Sequence, residues 1–130
     1  MKIKVGELRK IRGGLIEILK IELPIKPSYW LSRIAVKIDS ETLAFERARM
    51  GLVKKYAKKD LKGNPIFGKD KNGKPTNEYD IPNLEEFQKE YDELSAQEIE
   101  ININKIKLDT LGDIKLKPII LAQLEEIIEI

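Results

Sequence analysis

From Lys26 to Asp60 the apolar residues recur at helical spacing, so KPSYWLSRIAVKIDSETLAFERARMGLVKKYAKKD reads as one long helix. Placed at 100° per residue, Leu31, Ile34, Ile38, Phe45 and Leu52 form one apolar stripe. Val36, Leu43, Met50 and Ala57 form a second stripe about 140° away by the same geometry. Trp30, Arg33, Lys37, Arg47, Lys54 and Lys58 fill the third face. Pro27 suits a first helical turn, where its missing N–H costs nothing. No proline follows until Pro65, and Gly51 is the only weak helix former inside. A helix with two apolar sides requires cover on both.

The flanking segments are shorter. Met1, Ile3 and Val5 alternate with Lys2 and Lys4, the pattern of a strand with one wet face. Leu8, Ile11, Leu15 and Ile18 predict a first helix from Glu7 to about Lys20. Gly13-Gly14 lies within it, as a weak point of the helix or as a place of close approach by a partner backbone or phosphate. The break ELPIKP then joins two helices closely enough for an αα-hairpin. From Leu61 to Pro82, glycines, asparagines and prolines mark a basic, turn-rich hairpin centred on Asn72-Gly73. Asn83 caps a helix whose apolar stripe is Leu84, Phe87, Tyr91 and Leu94, with Glu85 and Glu86 suiting its positive end. Ile99, Ile101 and Ile103 alternate with Glu98, Glu100, Asn102 and Asn104, the clearest strand in the chain and a partner for Met1–Val5. Gly112-Asp113 marks a turn, and Pro118 opens a last helix so apolar, through Ile119–Ile130, that it must dock. The fold expected is α+β and helix-dominated: a long central helix in an αα-hairpin, a small β-sheet and a C-terminal docking helix. Residues 1–130 form a single domain on this reading, with 61–82 as an insertion.

Composition excludes several chemistries. The chain has no His and no Cys, which rules out Ser-His and Cys-His nucleophile pairs, disulfides and thiolate or imidazole metal sites. No apolar run approaches a membrane span, and the N-terminus lacks the apolar core of a signal peptide, so a cytoplasmic protein is expected. The net charge of +2 is too small to imply a nucleic-acid partner by itself, and no extended nucleic acid is expected as a partner. Asp70, Asn72 and Asp80 offer calcium-type oxygens but lack the full loop pattern and its terminal Glu. Glu85, Glu86, Asp80 and Asp92 are the carboxylates that metal-assisted catalysis would need, and acidic first turns have a simpler explanation in the helix dipole. No metal and no cofactor are expected.

The succession LPIKPSYWLSRIAVKI, AFERARMGLVKKY, KDLKGNPI, ELSAQEIEIN, IKLDTLG and LKPIILAQLEEII resembles a group of small accessory proteins encoded by tailed phages and prophages of Gram-positive bacteria. The resemblance runs from about Leu8 onward and carries no catalytic residues. It implies a phage accessory protein of the infected bacterial cytoplasm. Such proteins without catalytic groups include sponges that sequester nucleotide immune signals of the host, inhibitors of host enzymes and minor virion parts.

Within this sequence, the candidate ligand-binding residues are Tyr29, Trp30, Arg33, Lys37 and Arg47. Aromatic planes beside Arg and Lys suit a nucleobase and its phosphates, one by stacking and the other by charge. The plainer alternative makes Trp30 a core anchor and the basic residues a solvated face paired with Asp39, Glu41 and Glu46. The expected function is a non-enzymatic, homo-oligomeric protein that binds and sequesters a small nucleotide-like anion. The alternative is a protein-binding module, docking on a host enzyme or a virion component through its apolar stripes. Self-association is expected because few surfaces remain in so small a body to cover the apolar C-terminal helix.

Overall fold

The computed structural model describes all 130 residues. The chain is α+β and helix-dominated, as its patterning predicts. Its elements are β1 (Lys2–Lys4), α1 (Leu8–Ile18), α2 (Ile25–Tyr56), β2 (Phe67–Lys69), β3 (Pro75–Tyr79), α3 (Leu84–Ser95), β4 (Glu98–Glu100), β5 (Ile106–Lys107), α4 (Pro118–Gln123) and β6 (Ile128–Glu129). Two compact units share them: Met1–Leu43 with Ser95–Ile130, and Ala44–Leu94. The long helix α2 is unbroken across that boundary.

In the first unit β1 and β4 pair antiparallel, with Ile3 opposite Ile99 and Lys2 and Lys4 opposite Glu100 and Glu98. Opposite charges thus face each other across the wet side, an arrangement that favours this register. The strand is shorter than the isoleucine alternation suggests. Ile103 N–H donates to the Ile101 carbonyl at 2.8 Å, a tight turn that bends the chain out of the sheet. The helices α1 and α2 bury Leu8, Ile11, Leu15 and Ile18 on one and Leu31, Ile34 and Ile38 on the other. Arg12 Nε, 2.9 Å from Asp39 Oδ1, ties them together at the surface. The second stripe of α2 has no cover here: Val36 is 71% exposed and Leu43 54%.

The C-terminal segment differs from the expected helix over Ile119–Ile130. Only Pro118–Gln123 is helical, and the chain then turns so that β6 pairs in parallel with β5. Apolar residues at helical spacing are also what a short helix followed by a buried strand provides, and here the pairing with Ile106–Lys107 decides. Ile120, Leu124, Ile127 and Ile128 are all buried within the chain. Much of the cover that this segment requires therefore comes from its own body, while Ile119 and Ile130 stay exposed, at 63% and 100%. Part of the cover is α1. A Cβ built on Gly14 would lie 2.7 Å from Leu124 Cδ2 and 3.0 Å from Gln123 Cβ, so only glycine admits this approach.

The second unit is built differently. The second-unit part of α2 buries Phe45 and Val53, and Ala57 just beyond its end is buried too, while Leu52, which the heptad pattern favours, is only half-buried. Rings then succeed one another: Phe45 to Tyr91 at 6.2 Å, Tyr91 to Phe87 at 6.1 Å and Phe87 to Tyr56 at 6.1 Å. Asn83 Oδ1 accepts the Glu86 N–H at 3.4 Å, the capping role its position implies. Lys55 Nζ reaches both oxygens of Glu90, at 3.0 and 3.1 Å, and so links α2 to α3. Residues 61–82 contain the expected hairpin, with Phe67 opposite Tyr79 and Asn72-Gly73 at its turn. Three backbone hydrogen bonds close its base in a ring. Lys58 N–H donates to Asp80, Asp80 N–H to Ile66, and Ile66 N–H to Lys58, at 2.8, 2.9 and 2.9 Å.

Candidate functional site

The sequence-derived site is only partly assembled. Tyr29 and Trp30 stand edge to face with ring centroids 5.3 Å apart. The Arg33 guanidinium lies 5.1 Å from the Trp30 ring centroid and 5.8 Å from that of Tyr29. These three make one exposed basic-aromatic cluster, in which a cation already rests against the indole. Lys37 follows one turn later and is exposed. Arg47 belongs to the second unit.

Trp30 also borders a groove of about 930 Å³ in the first unit. One wall is the entry to α2, with Lys26, Pro27 and Trp30; the other is the segment Asn102–Lys107, with Thr110 beyond it. The local sequence explains both walls. Pro24 and Pro27 fix the approach to α2, and Pro27 itself is buried. After β4 the chain is held to the N-terminus by the Ile101 N–H on the Met1 carbonyl at 2.8 Å. It is then held to the C-terminus by the Ile106 N–H on Ile127 at 2.9 Å. Between those two anchors the side chains of Asn102, Asn104 and Lys105 are exposed.

No protein-family model, curated protein sequence or solved structure matches the chain. The groove must therefore be read from its own chemistry. Its charged lining residues are Lys26, Lys105 and Lys107, and no carboxylate lines it. Its apolar surface comes from Ile25, Pro27, Ile103 and Ile106, and Asn102, Asn104 and Thr110 supply neutral polar groups. Trp30, at 40% exposure, leaves part of its indole open to a ligand. Such a lining favours a molecule with an anionic part and a flat, weakly polar part. An ammonium and an anion about 4 Å apart attract by about 1 kcal/mol in bulk water and about 4 kcal/mol near a protein surface. The asparagine amides can both donate to and accept from the edge of a heterocycle.

Of the candidate residues, only Trp30 lines this groove; Lys26, Asn102, Asn104, Lys105, Lys107 and Thr110 are additions that only the tertiary structure brings together. A signal for them existed in the alternation of Ile101 and Ile103 with Asn102 and Asn104, which promised a polar face with no stated partner. Two of the four carboxylates considered for metal chemistry have other partners. Asp80 stands 3.8 Å from Lys58 Nζ, Asp92 accepts from Gln88 Nε2 at 2.8 Å, and no three carboxylates converge anywhere. No helix is long and apolar enough to cross a membrane.

Proposed function

We propose that the groove beside Trp30 binds a small nucleotide-like anion, and that the protein sequesters this ligand without transforming it. The observation that supports this best is the lining: one partly open indole, three lysines and no carboxylate around a groove of about 930 Å³. A base or similar plane lies along Trp30 and the isoleucines, with its edge towards Asn102 and Asn104. Its phosphates meet Lys26, Lys105 and Lys107. The complete lack of His and Cys, the residues that most often move protons or attack electrophiles near neutral pH, supports retention over turnover. On this reading the chain is a phage-encoded protein of the infected bacterial cytoplasm that withdraws a nucleotide signal from host defence.

The single tryptophan makes the test direct. Titration of mono- and dinucleotides into the protein should quench or shift Trp30 emission saturably. Lys26→Ala, Lys105→Ala and Lys107→Ala should each weaken binding by about 1.5–3 kcal/mol, as for hydrogen bonds to charged groups. Arg47→Ala should leave it unchanged. Absence of saturable binding across such a panel, or equal loss with Arg47→Ala, overturns the assignment.

A further inference from the structure

The net charge of +2 conceals a segregation. Residues 54–74 hold eight lysines and two aspartates, a local +6, all within the second unit. Both aspartates have structural work. Asp60 Oδ1 accepts the N–H groups of Lys62 and Asn64, each at 2.9 Å, and Asp70 Oδ1 accepts those of Asn72 and Lys74 at 2.9 and 3.0 Å. The two loops are copies of one design. Lys59-Asp60-Leu61-Lys62-Gly63-Asn64-Pro65 and Lys69-Asp70-Lys71-Asn72-Gly73-Lys74-Pro75 share Lys-Asp-x-x-Gly-x-Pro. Gly63 and Gly73 both take φ near +80° (82° and 78°), and both donate N–H to the carbonyl of their aspartate at 3.0 Å. Each loop is closed by the same cross-pairing, Lys59 with Pro65 and Lys69 with Pro75.

The segment between them, Pro65 to Lys69 with β2 at its end, spans about 13 Å at the usual strand rise, and Phe67 stands midway. Its ring stacks on Tyr79 at a centroid distance of 4.6 Å and remains 47% exposed. The outcome is an aromatic platform with a hydrogen-bonded, lysine-bearing loop at either end. Lys59, Lys62, Lys69, Lys71 and Lys74 are all exposed, and the ion pairs in this region engage Lys55 and Lys58 instead. Charge alternating with an open aromatic face along an extended strand is the lining that single-stranded nucleic acid requires: phosphates on the lysines and a base on the ring.

We propose that this twin-loop hairpin binds the phosphodiester chain of single-stranded nucleic acid, independently of the groove in the first unit. The test is fluorescence anisotropy with a labelled oligothymidylate of about ten nucleotides, within the usual range of single-stranded sites, and with the matching oligouridylate. Saturable binding of either supports the proposal, and the tighter of the two names the source. For five lysines the slope of log K against log salt should approach about −3.5, and Lys71→Ala should reduce its magnitude by about 0.7. Phe67→Leu keeps the bulk but removes the plane, and should weaken binding at least about fivefold. Lys62→Ala with Lys71→Ala, both at exposed loop positions, tests the charges without touching the stack. Equal affinity for heparin or for duplex, indifference to the lysine pair, or loss of binding on Lys105→Ala would each overturn the assignment.

Discussion

The two units of this chain are held by different forces. Sixteen of the nineteen buried apolar side chains belong to the first unit, leaving Phe45, Val53 and Ala57 for the second. In the second unit α3 buries no residue at all, and stacked rings, an ion pair and carboxylate-closed turns replace the missing aliphatic core. Burying an aliphatic side chain is worth about 1.5–3 kcal/mol, whereas an aromatic pair adds about 0.5–1.5 and an exposed ion pair less than about 1. The contrast teaches where stability and surface chemistry reside. The first unit concentrates the aliphatic core behind its groove; the second rests on half-buried rings around Phe45 and carries its lysines at the surface.

The largest effect should come from the helix contact in the first unit. Leu124→Ala should cost about 2–5 kcal/mol in urea unfolding followed by Trp30 emission. Gly14→Ala alone should cost about 1–3 kcal/mol by overpacking, despite the better helix propensity of alanine. In the Leu124→Ala background that penalty should shrink, because the colliding side chain is gone. Strict additivity of the two substitutions would show that the close approach is not what requires glycine.

A smaller effect sharpens the contrast itself. Phe87→Leu should cost about 0.5–1.5 kcal/mol, and hydrogen exchange should register the loss in the amides of α3 and the hairpin while those of α1 stay protected. An equal drop in both units would mean that the chain opens as one cooperative body.

The smallest effect is electrostatic. The Tyr56 hydroxyl and then Lys55 hold the Glu90 carboxyl below its ordinary value of 4.5. A group depressed in the folded state stabilises it above the unfolded pKa and ceases to do so as pH falls through the folded one. Protection in the second unit should therefore decline below about pH 4.5. Glu90→Gln should lack that decline, and an unchanged profile in the variant would assign the acid response to other carboxylates.

Much of this architecture was legible in the residues. Pro27, the stripe of Leu31, Ile34 and Ile38, the cap at Asn83 and the turn at Asn72-Gly73 are local signals, and local structure follows them. The pairing of the N-terminal strand with Ile99 was legible too, because both segments alternate. What escaped depends on contacts distant in sequence. Nothing near Ile128 announces its parallel partner Ile106, and nothing near Gly14 announces Leu124. The groove escaped for the same reason: Trp30 was visible as an aromatic among cations, but Lys105 and Lys107 join it only through the fold. Arg47 belongs to the second unit and does not line the groove.

The three-bond ring at Lys58, Ile66 and Asp80 has an architectural consequence. Because Lys58 N–H meets the Asp80 carbonyl at 2.8 Å, the chain leaves for the twin loops and returns at almost the same point. The closure entropy of that excursion is met at its own neck, so its interior length hardly concerns the helices on either side. The excursion is in effect a cassette. Its content can be exchanged without re-registering α2 or α3, which lets a surface with one specificity be traded for another on an unchanged frame.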